Sequence, residues 1–222
     1  MLDLFGTLVA APTPGERGNA ASRLADVIGC DHVAVERYYG GTWSVRHDAT
    51  LPTVDRLAAH LVHAAQGPDT AIRPVADELH ALGNARLIPD GSVTSTLKSL
   101  RANRLRIGVL SDASADIAAA WSTSPLATLV DAAVFSCQTG AAKPDPRLYE
   151  QVRAELDVPA DSILYVGDGG GDELRGALMF GMSALAVRRR GPADTLAFGD
   201  TDWPGSVLDS VERVPTYLAE RA

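Results

Sequence analysis

The sequence predicts an α/β protein: a parallel sheet covered by helices on both faces, with a long helical insertion after its first strand. Three observations carry this. Five short apolar runs bounded by turn residues read as buried strands, at residues 1–4, 106–110, 132–135, 162–166 and 183–187. Helical periodicities fall between the later runs, at 116–120, 147–156 and 172–180, and such alternation is the pattern of a parallel sheet with both faces covered. The stretch 10–85 shows helical spacing only, at 20–27, 54–65 and 72–82, with many prolines and no convincing strand.

Proline and glycine clusters at 12–15 and 89–91 are natural places for the chain to leave and re-enter the sheet. The expected division is therefore a sheet domain from residues 1–9 and 86–222, with a helical domain of 10–85 set into it. The stretch 191–203 reads as loop.

Composition narrows the function. With 222 residues, 46% of them hydrophobic, the chain buries a core without disulfides or structural metal, since a chain of this size hides roughly 70% of its unfolded surface. A formal charge of −8 offers no basic face for nucleic acid. Cys30 and Cys137 form no CxxC or Cys/His cluster, so both read as small buried hydrophobes of a reducing compartment. No apolar run approaches the roughly 20 residues that span a bilayer, and Asp3 stands where a signal peptide carries Lys or Arg. The expected setting is cytoplasmic, with a small-molecule substrate and neither membrane nor nucleic-acid partner; oligomeric state is not legible.

In open parallel sheets ligands bind beyond the carboxyl ends of the strands. The residues there are chemically selective: Asp3-Leu4-Phe5-Gly6-Thr7-Leu8 after the first strand, Ser111-Asp112 after the second, Lys143-Pro144-Asp145-Pro146 before the helix at 147, and Gly167-Asp168-Gly169-Gly170-Gly171-Asp172 after the fourth. Together they offer the groups that hold a phosphoryl group and a divalent cation. Asp3 is placed to act as a nucleophile, and the Gly6-Thr7 turn to free backbone N–H groups for an anion, although a lone strand-end Asp is more often a turn former. Ser111 can donate to a phosphate oxygen and Lys143 can neutralise it as a compact charge. Asp168 and Asp172 suit Mg²⁺ as hard oxygen ligands, while Asp172 serves equally as a helix N-cap.

Other features carry less. The glycine run 169–171 does not fit GxGxxG, because Asp172 occupies the place of the last glycine. His60 and His63 lack a third ligand and read as a solvated helix face. The run Arg188-Arg189-Arg190 reads as a solvated loop before it reads as an anion site.

Taken in order, DxxGT at Asp3, Leu-Ser-Asp at Ser111, KPDP at Lys143 and GDxxxD at Asp168 followed by Arg175-Gly176-Ala177 resemble the haloacid dehalogenase-like (HAD) superfamily over nearly the whole chain. The resemblance implies a Rossmann-like core, a helical C1-type cap formed by the insertion, and hydrolysis through a covalent aspartyl intermediate. It makes Asp3 the nucleophile, with Ser111 and Lys143 binding the transferred group beside Gly6, Thr7 and Asp112. It implies Mg²⁺ held by Asp3, the Phe5 carbonyl and Asp168, with Asp172 as ligand or neighbour of a ligand. The implied activity is a Mg²⁺-dependent phosphatase of a small phosphorylated metabolite.

Two departures qualify it. The phosphatases of the superfamily place a second Asp two residues after the nucleophile as general acid and base, and this chain has Phe5 there. Its dehalogenases carry an aromatic residue at that place and need no metal, which keeps dehalogenation as the alternative, beside a ligand-binding protein that has lost turnover. Against dehalogenation, Gly167-Asp168 with Asp172 resembles the Mg²⁺ pattern. Second, only Met1 and Leu2 precede Asp3, whereas a central strand should need about five residues. Either the true start lies upstream or the central strand is unusually short; in the second case apolar residues added before Met1 should raise the melting temperature.

Overall fold

The computed structural model describes residues 1–193 and 202–221. After an initial extended segment the chain forms α1 (Pro14–Ile28), α2 (His32–Gly41), α3 (Trp43–His47), α4 (Val54–Ala64), α5 (Ile72–Arg86) and α6 (Gly91–Ala102). Strand and helix then alternate through β1 (Gly108–Ser111), α7 (Ala115–Ala120), β2 (Ala132–Phe135), α8 (Ser136–Thr139), α9 (Pro146–Leu156), β3 (Leu164–Gly167), α10 (Glu173–Met179), β4 (Ser183–Val187), the two-residue β5 (Val207–Leu208) and α11 (Val214–Ala219).

The strands are all parallel. β1 pairs with β2 in the register Gly108 to Ala132, β3 with β4 in the register Leu164 to Ser183, and β4 with β5. Leu2 joins the two halves, bridging Val109 on one side and Val166 on the other. Its N–H donates to the Gly108 carbonyl (2.8 Å) and its carbonyl accepts from Leu110 (3.0 Å), while Asp3 donates to the Val166 carbonyl (2.9 Å). The sheet therefore runs β2, β1, the Leu2 segment, β3, β4, β5.

Side chains alternate between faces along each strand, and the two faces bury different clusters. Leu2, Val109, Val166, Leu185 and Val187 pack with Leu97 and Leu100 of α6 and Val214 of α11. Met1, Leu110, Tyr165 and Ala186 pack with Leu148 and Val152 of α9 and Leu174 of α10. This two-sided burial explains why the strands read as continuous apolar runs.

The inserted helices have an apolar cluster of their own, Leu24, Ile28, Val35, Leu57, Leu61, Val75 and Leu79, to which α7 contributes Ala115. α1 starts at a capping box in which Thr13 accepts from Glu16 N–H and Glu16 accepts from Thr13 N–H, and ends at Gly29 with φ of 80°.

Some expected boundaries shift. The first strand is reduced from 1–4 to the single bridging residue Leu2, because the Leu4 carbonyl already accepts from Leu8 and Val9 in a tight turn. The second and fourth strands begin two residues later than their apolar runs: the Ile107 N–H is taken by Asp131 Oδ2 (2.8 Å), and Ser162 closes a helical turn. α2, α3, α8, β5 and α11 are too short or too weakly periodic to stand out in the sequence, and α6, whose Val93, Leu97 and Leu100 do recur at helical spacing, adds a further helix to those expected. Of the expected loop 191–203, residues 194–201 lie outside the described residues. Among the described residues no helix is long and apolar enough to cross a membrane.

Leu2 supplies both backbone bonds to β1, while Met1 and Asp3 on either side of it bond Val166 of β3, so truncation at Leu2 should be costly. Leu2→Ala should lose about 2–5 kcal/mol of unfolding free energy, as buried leucines do. Leu2→Pro should lose more, because it also removes the bond to Gly108. Urea unfolding checks this, and a Leu2→Pro protein as stable as Leu2→Ala would contradict the bridging role.

Candidate active site

The turns that follow the parallel strands converge at their carboxyl ends. Asp3, one residue past the Leu2 bridge, is 4% exposed. Lys143, on the loop before α9, reaches it with Nζ to Asp3 Oδ1 at 2.6 Å. The same ammonium contacts Glu173 Oε2 at 2.5 Å, and Glu173 is fully buried at the start of α10. Asp168, just past β3, completes the group: one carboxylate oxygen from each of Asp3, Asp168 and Glu173 lies within 4.8 Å of the others.

Close packing makes this possible. A Cβ on Gly167 would lie 2.0 Å from Glu173 Oε1, so only glycine at the end of β3 admits that carboxylate. Glu173 is then held on every side. Tyr165 donates its hydroxyl to Oε2 (2.7 Å), the Gly169 N–H donates to Oε1 (2.9 Å), and Tyr149 donates to the residue's own carbonyl (2.9 Å). Asp168 Oδ1 accepts from the Gly170 N–H (3.0 Å), and Arg189 Nε donates to Oδ2 (2.5 Å).

The residues expected at the site take distinct places. Ser111 ends β1 and is 1% exposed. Asp112 turns to its neighbour loop, with Oδ1 accepting from the Lys143 N–H at 3.0 Å, so it fixes the lysine's backbone. Thr7 is buried and donates to Asp3 Oδ2 (3.4 Å). The Gly6 and Thr7 N–H groups, expected to be free for an anion, are used inside their own turn by the Val9 and Leu4 carbonyls, because the chain reverses within four residues. Phe5 is half-buried against the apolar cluster, with the Arg86 guanidinium 6.0 Å from its ring centre.

Asp172 is the residue that moves out. Its side chain is 55% exposed and lies 3.7 Å from Arg175, and it accepts no N-cap bond from α10. Glu173 stands where the sequence pattern places Asp172. Adjacent residues on a helix point about 100° apart, and Glu173 shares the buried face of α10 with Gly176 and Ala177. That shared face is the sequence signal for Glu173. The structure also draws in two arginines read as solvated: Arg189 on Asp168, and Arg190, which donates to the Thr7 carbonyl (3.3 Å) and to Asp90 (2.6 Å) and pairs with Glu212.

The electrostatics are unbalanced. Asp3, Asp112, Asp168 and Glu173 supply four carboxylates, against which stand the ammonium of Lys143 and the guanidinium of Arg189. Burial, and then repulsion from Glu173, push the Asp3 carboxyl well above its usual range, with Lys143 opposing. Burial likewise raises Glu173 against the pull of Lys143. For Lys143, burial by itself would lower the amine, but Asp3 and Glu173 overcome it and hold the ammonium well above its usual value. With all four acids ionised the group would carry two more negative than positive charges, an excess that one divalent cation would cancel. The donors are hard oxygens of the kind Mg²⁺ takes, and octahedral bonds of 2.0–2.1 Å put donors roughly 3–4 Å apart, a separation allowed by oxygens that all lie within 4.8 Å of one another. The residues fit such an ion.

A family model for haloacid dehalogenase-like hydrolases matches residues 2–181. The chain belongs to that family and is a hydrolase. It is 30% identical over 185 residues to Phosphatase MT3486 of Mycobacterium tuberculosis, covering 79% of this chain and 82% of the relative. In fold it resembles the 2-haloacid dehalogenase of Pseudomonas syringae pv. Tomato (TM-score 0.70, 23% identity, covering 100% of this chain and 97% of that one). It also resembles the HAD phosphatase of Thermococcus onnurineus (TM-score 0.66, 15% identity, 98% and 95%).

The charge imbalance sets a pH signature. Ionised Asp3 and Glu173 oppose folding, and that penalty is relieved as pH falls through their raised values. Lys143, with its raised value, contributes fully below the ordinary lysine value near 10.4 and is lost only above it. Lys143→Met should therefore cost about 3–5 kcal/mol at neutral pH, the usual result of stranding buried charge. The deficit should shrink as the pH is lowered toward 5. Urea unfolding at the two pH values measures it, and a deficit independent of pH would contradict the account.

Proposed function

We propose that this hydrolase is a divalent-metal-dependent phosphatase of a small phosphorylated metabolite, working through a phosphoryl group carried on Asp3. One observation carries the reading: a strand-end carboxylate beside Lys143, grouped with two further carboxylates whose oxygens lie close enough to share one divalent ion. Phosphatase MT3486 supports it, since that relative is named for phosphate chemistry.

In this reading Asp3 attacks phosphorus in line, an Asp3–phosphoryl bond forms, and the alcohol leaves. Water then attacks phosphorus, releasing phosphate and restoring Asp3. Lys143 and Ser111 stabilise the transferring oxygens, which is where phosphoryl transfer gains most of its rate. Bound Mg²⁺ supplies further neutralisation of the phosphoryl oxygens. Asp3, Asp168 and Glu173 would hold it together with the Phe5 carbonyl, and Glu173 replaces Asp172 in that role. The insertion 10–85 acts as the cap over this rim, with 1–9 and 86–222 as the core domain. Among the cap arginines Arg17, Arg37, Arg46 and Arg73, which the sequence leaves unranked as anion clamps, only Arg46 is buried, and it donates to Thr42 and to the Tyr39 carbonyl.

Phe5 removes the acid that protonates a leaving alcohol, which typically contributes 10²–10⁴-fold. Activity is therefore expected on p-nitrophenyl phosphate, whose leaving group needs no proton, with loss on EDTA treatment and in Asp3→Asn. Phe5→Asp should speed hydrolysis of simple alkyl phosphates by about 10–100-fold, short of the full contribution of a positioned acid. No gain would mean that phosphate esters are not the substrate or that another residue is the acid.

Phe5 also favours the second reading, a dehalogenase in which Asp3 attacks carbon and halide departs without a proton. Single turnover in ¹⁸O-water separates the two. Ester hydrolysis at the Asp3 carbonyl labels the aspartate, whereas hydrolysis at phosphorus labels the phosphate and leaves Asp3 unlabelled.

A further inference from the structure

The guanidinium of Arg189 sits on Asp168, the one member of the acid group that Lys143 does not contact, and its placement is built rather than incidental. Its Nε lies 2.5 Å from Asp168 Oδ2, with the Asp168 side chain 7% exposed and that of Arg189 24% exposed. The pair passes directly over Gly6. A Cβ there would lie 2.4 Å from Asp168 Oδ2 and 3.2 Å from Arg189 Cγ, so a larger residue would force the two apart. The next residue is anchored to the same turn: the Arg190 N–H donates to the Gly6 carbonyl (2.7 Å), and its guanidinium reaches the Thr7 carbonyl, Asp90 and Glu212. Arg188, by contrast, has a side chain 74% exposed and among the described residues pairs with Asp209, away from the acid group. The strand-end turn of Asp3 and the residues after β4 are thus fastened together with the Arg189 charge pointing at Asp168.

We infer that Arg189 is a fixed counter-cation of the acid group that competes with the divalent ion for Asp168, compensating the carboxylates when the ion is absent and limiting how tightly it binds. The inference rests on the metal-dependent reading above. Arginine suits the task because it stays charged at every physiological pH and a planar fork holds a carboxylate in fixed geometry. A positive charge in contact with one of three carboxylates repels a dication drawn to the same group, and in a buried setting water screens that repulsion poorly. The cost of weaker ion binding is matched by a benefit to the ion-free protein. Without Arg189, three buried carboxylates would face Lys143 alone.

The test is calorimetric titration of Mg²⁺ alone, without substrate, into the full chain and into Arg189→Gln and Arg189→Lys. The Gln variant should bind Mg²⁺ about tenfold or more tightly, the order expected from removing one poorly screened like charge. The Lys variant, which keeps the charge, should stay near the unaltered protein. The ion-free melting temperature of Arg189→Gln should fall and its rise on adding Mg²⁺ should be larger, as tighter binding to the folded state requires. Should Arg189→Gln fold only in the presence of Mg²⁺, an EDTA chase reads the same property, and slower loss of the ion is expected. Equal or weaker Mg²⁺ binding by Arg189→Gln, when the unaltered protein binds, overturns this inference alone and makes Arg189 a support for Asp168. A changed KM with unchanged Mg²⁺ affinity overturns it in favour of a substrate contact. Absence of binding by both proteins overturns it together with the metal-dependent reading.

Discussion

An uncompensated negative charge, buried where the strands end, is the constraint on which the rest of this structure depends. Three carboxylates meet one ammonium and one guanidinium, with Asp112 beside them on the Lys143 amide, and burial makes each unpaired charge costly. The surroundings are arranged to tolerate the excess: Tyr165 and the Gly169 and Gly170 amides donate to Glu173 and Asp168, and glycine at 167 and 6 leaves room for the carboxylates and for Arg189. Every such donor lowers the cost of ionised acid without cancelling its charge. The group remains attractive to a cation, and Lys143 opposes the burial that raises the Asp3 carboxyl.

The sheet supplies the convergence. In a parallel sheet all strands end at the same edge, so Asp3, Ser111 and Asp168 are brought together by topology before any side chain contact forms. The central segment is short, yet its two-sided pairing through Leu2 fixes the height of Asp3 relative to Val109 and Val166. The loop carrying Lys143 is set by Asp112, which spends its carboxylate on the Lys143 amide. Activity and fold are coupled here, since the residue that aims the lysine belongs to the same rim.

Sequence made the fold class and much of the site legible, for a physical reason. Asp3, Ser111, Lys143 and Asp168 each follow an apolar run or precede a helix; any one of them alone reads as a turn, cap or surface residue, and it is their ordered recurrence at strand ends that points to a site. Glu173 was hidden behind Asp172, because two adjacent acids differ only in which helix face they occupy; the small residues Gly176 and Ala177 mark the buried face and point to Glu173. Arg189 and Arg190 were hidden because three successive cations read as solvated. Arg189, however, continues the alternation of Leu185 and Val187, which face the same cluster. The short helices α2 and α3 carry too little periodicity to be read, and α2 ends in Gly40-Gly41. The single-residue bridge at Leu2 was taken for a longer strand because an apolar run does not show where a tight turn begins.

The account is tested most directly by looking for the covalent intermediate. The full chain, supplied with Mg²⁺ and p-nitrophenyl phosphate and quenched in acid during turnover, should yield on peptide mass spectrometry a phosphoryl adduct on Asp3 that is absent from Asp3→Asn. Turnover with no adduct on Asp3, or with the adduct on another residue, would contradict the assignment of Asp3 as the nucleophile of this buried group.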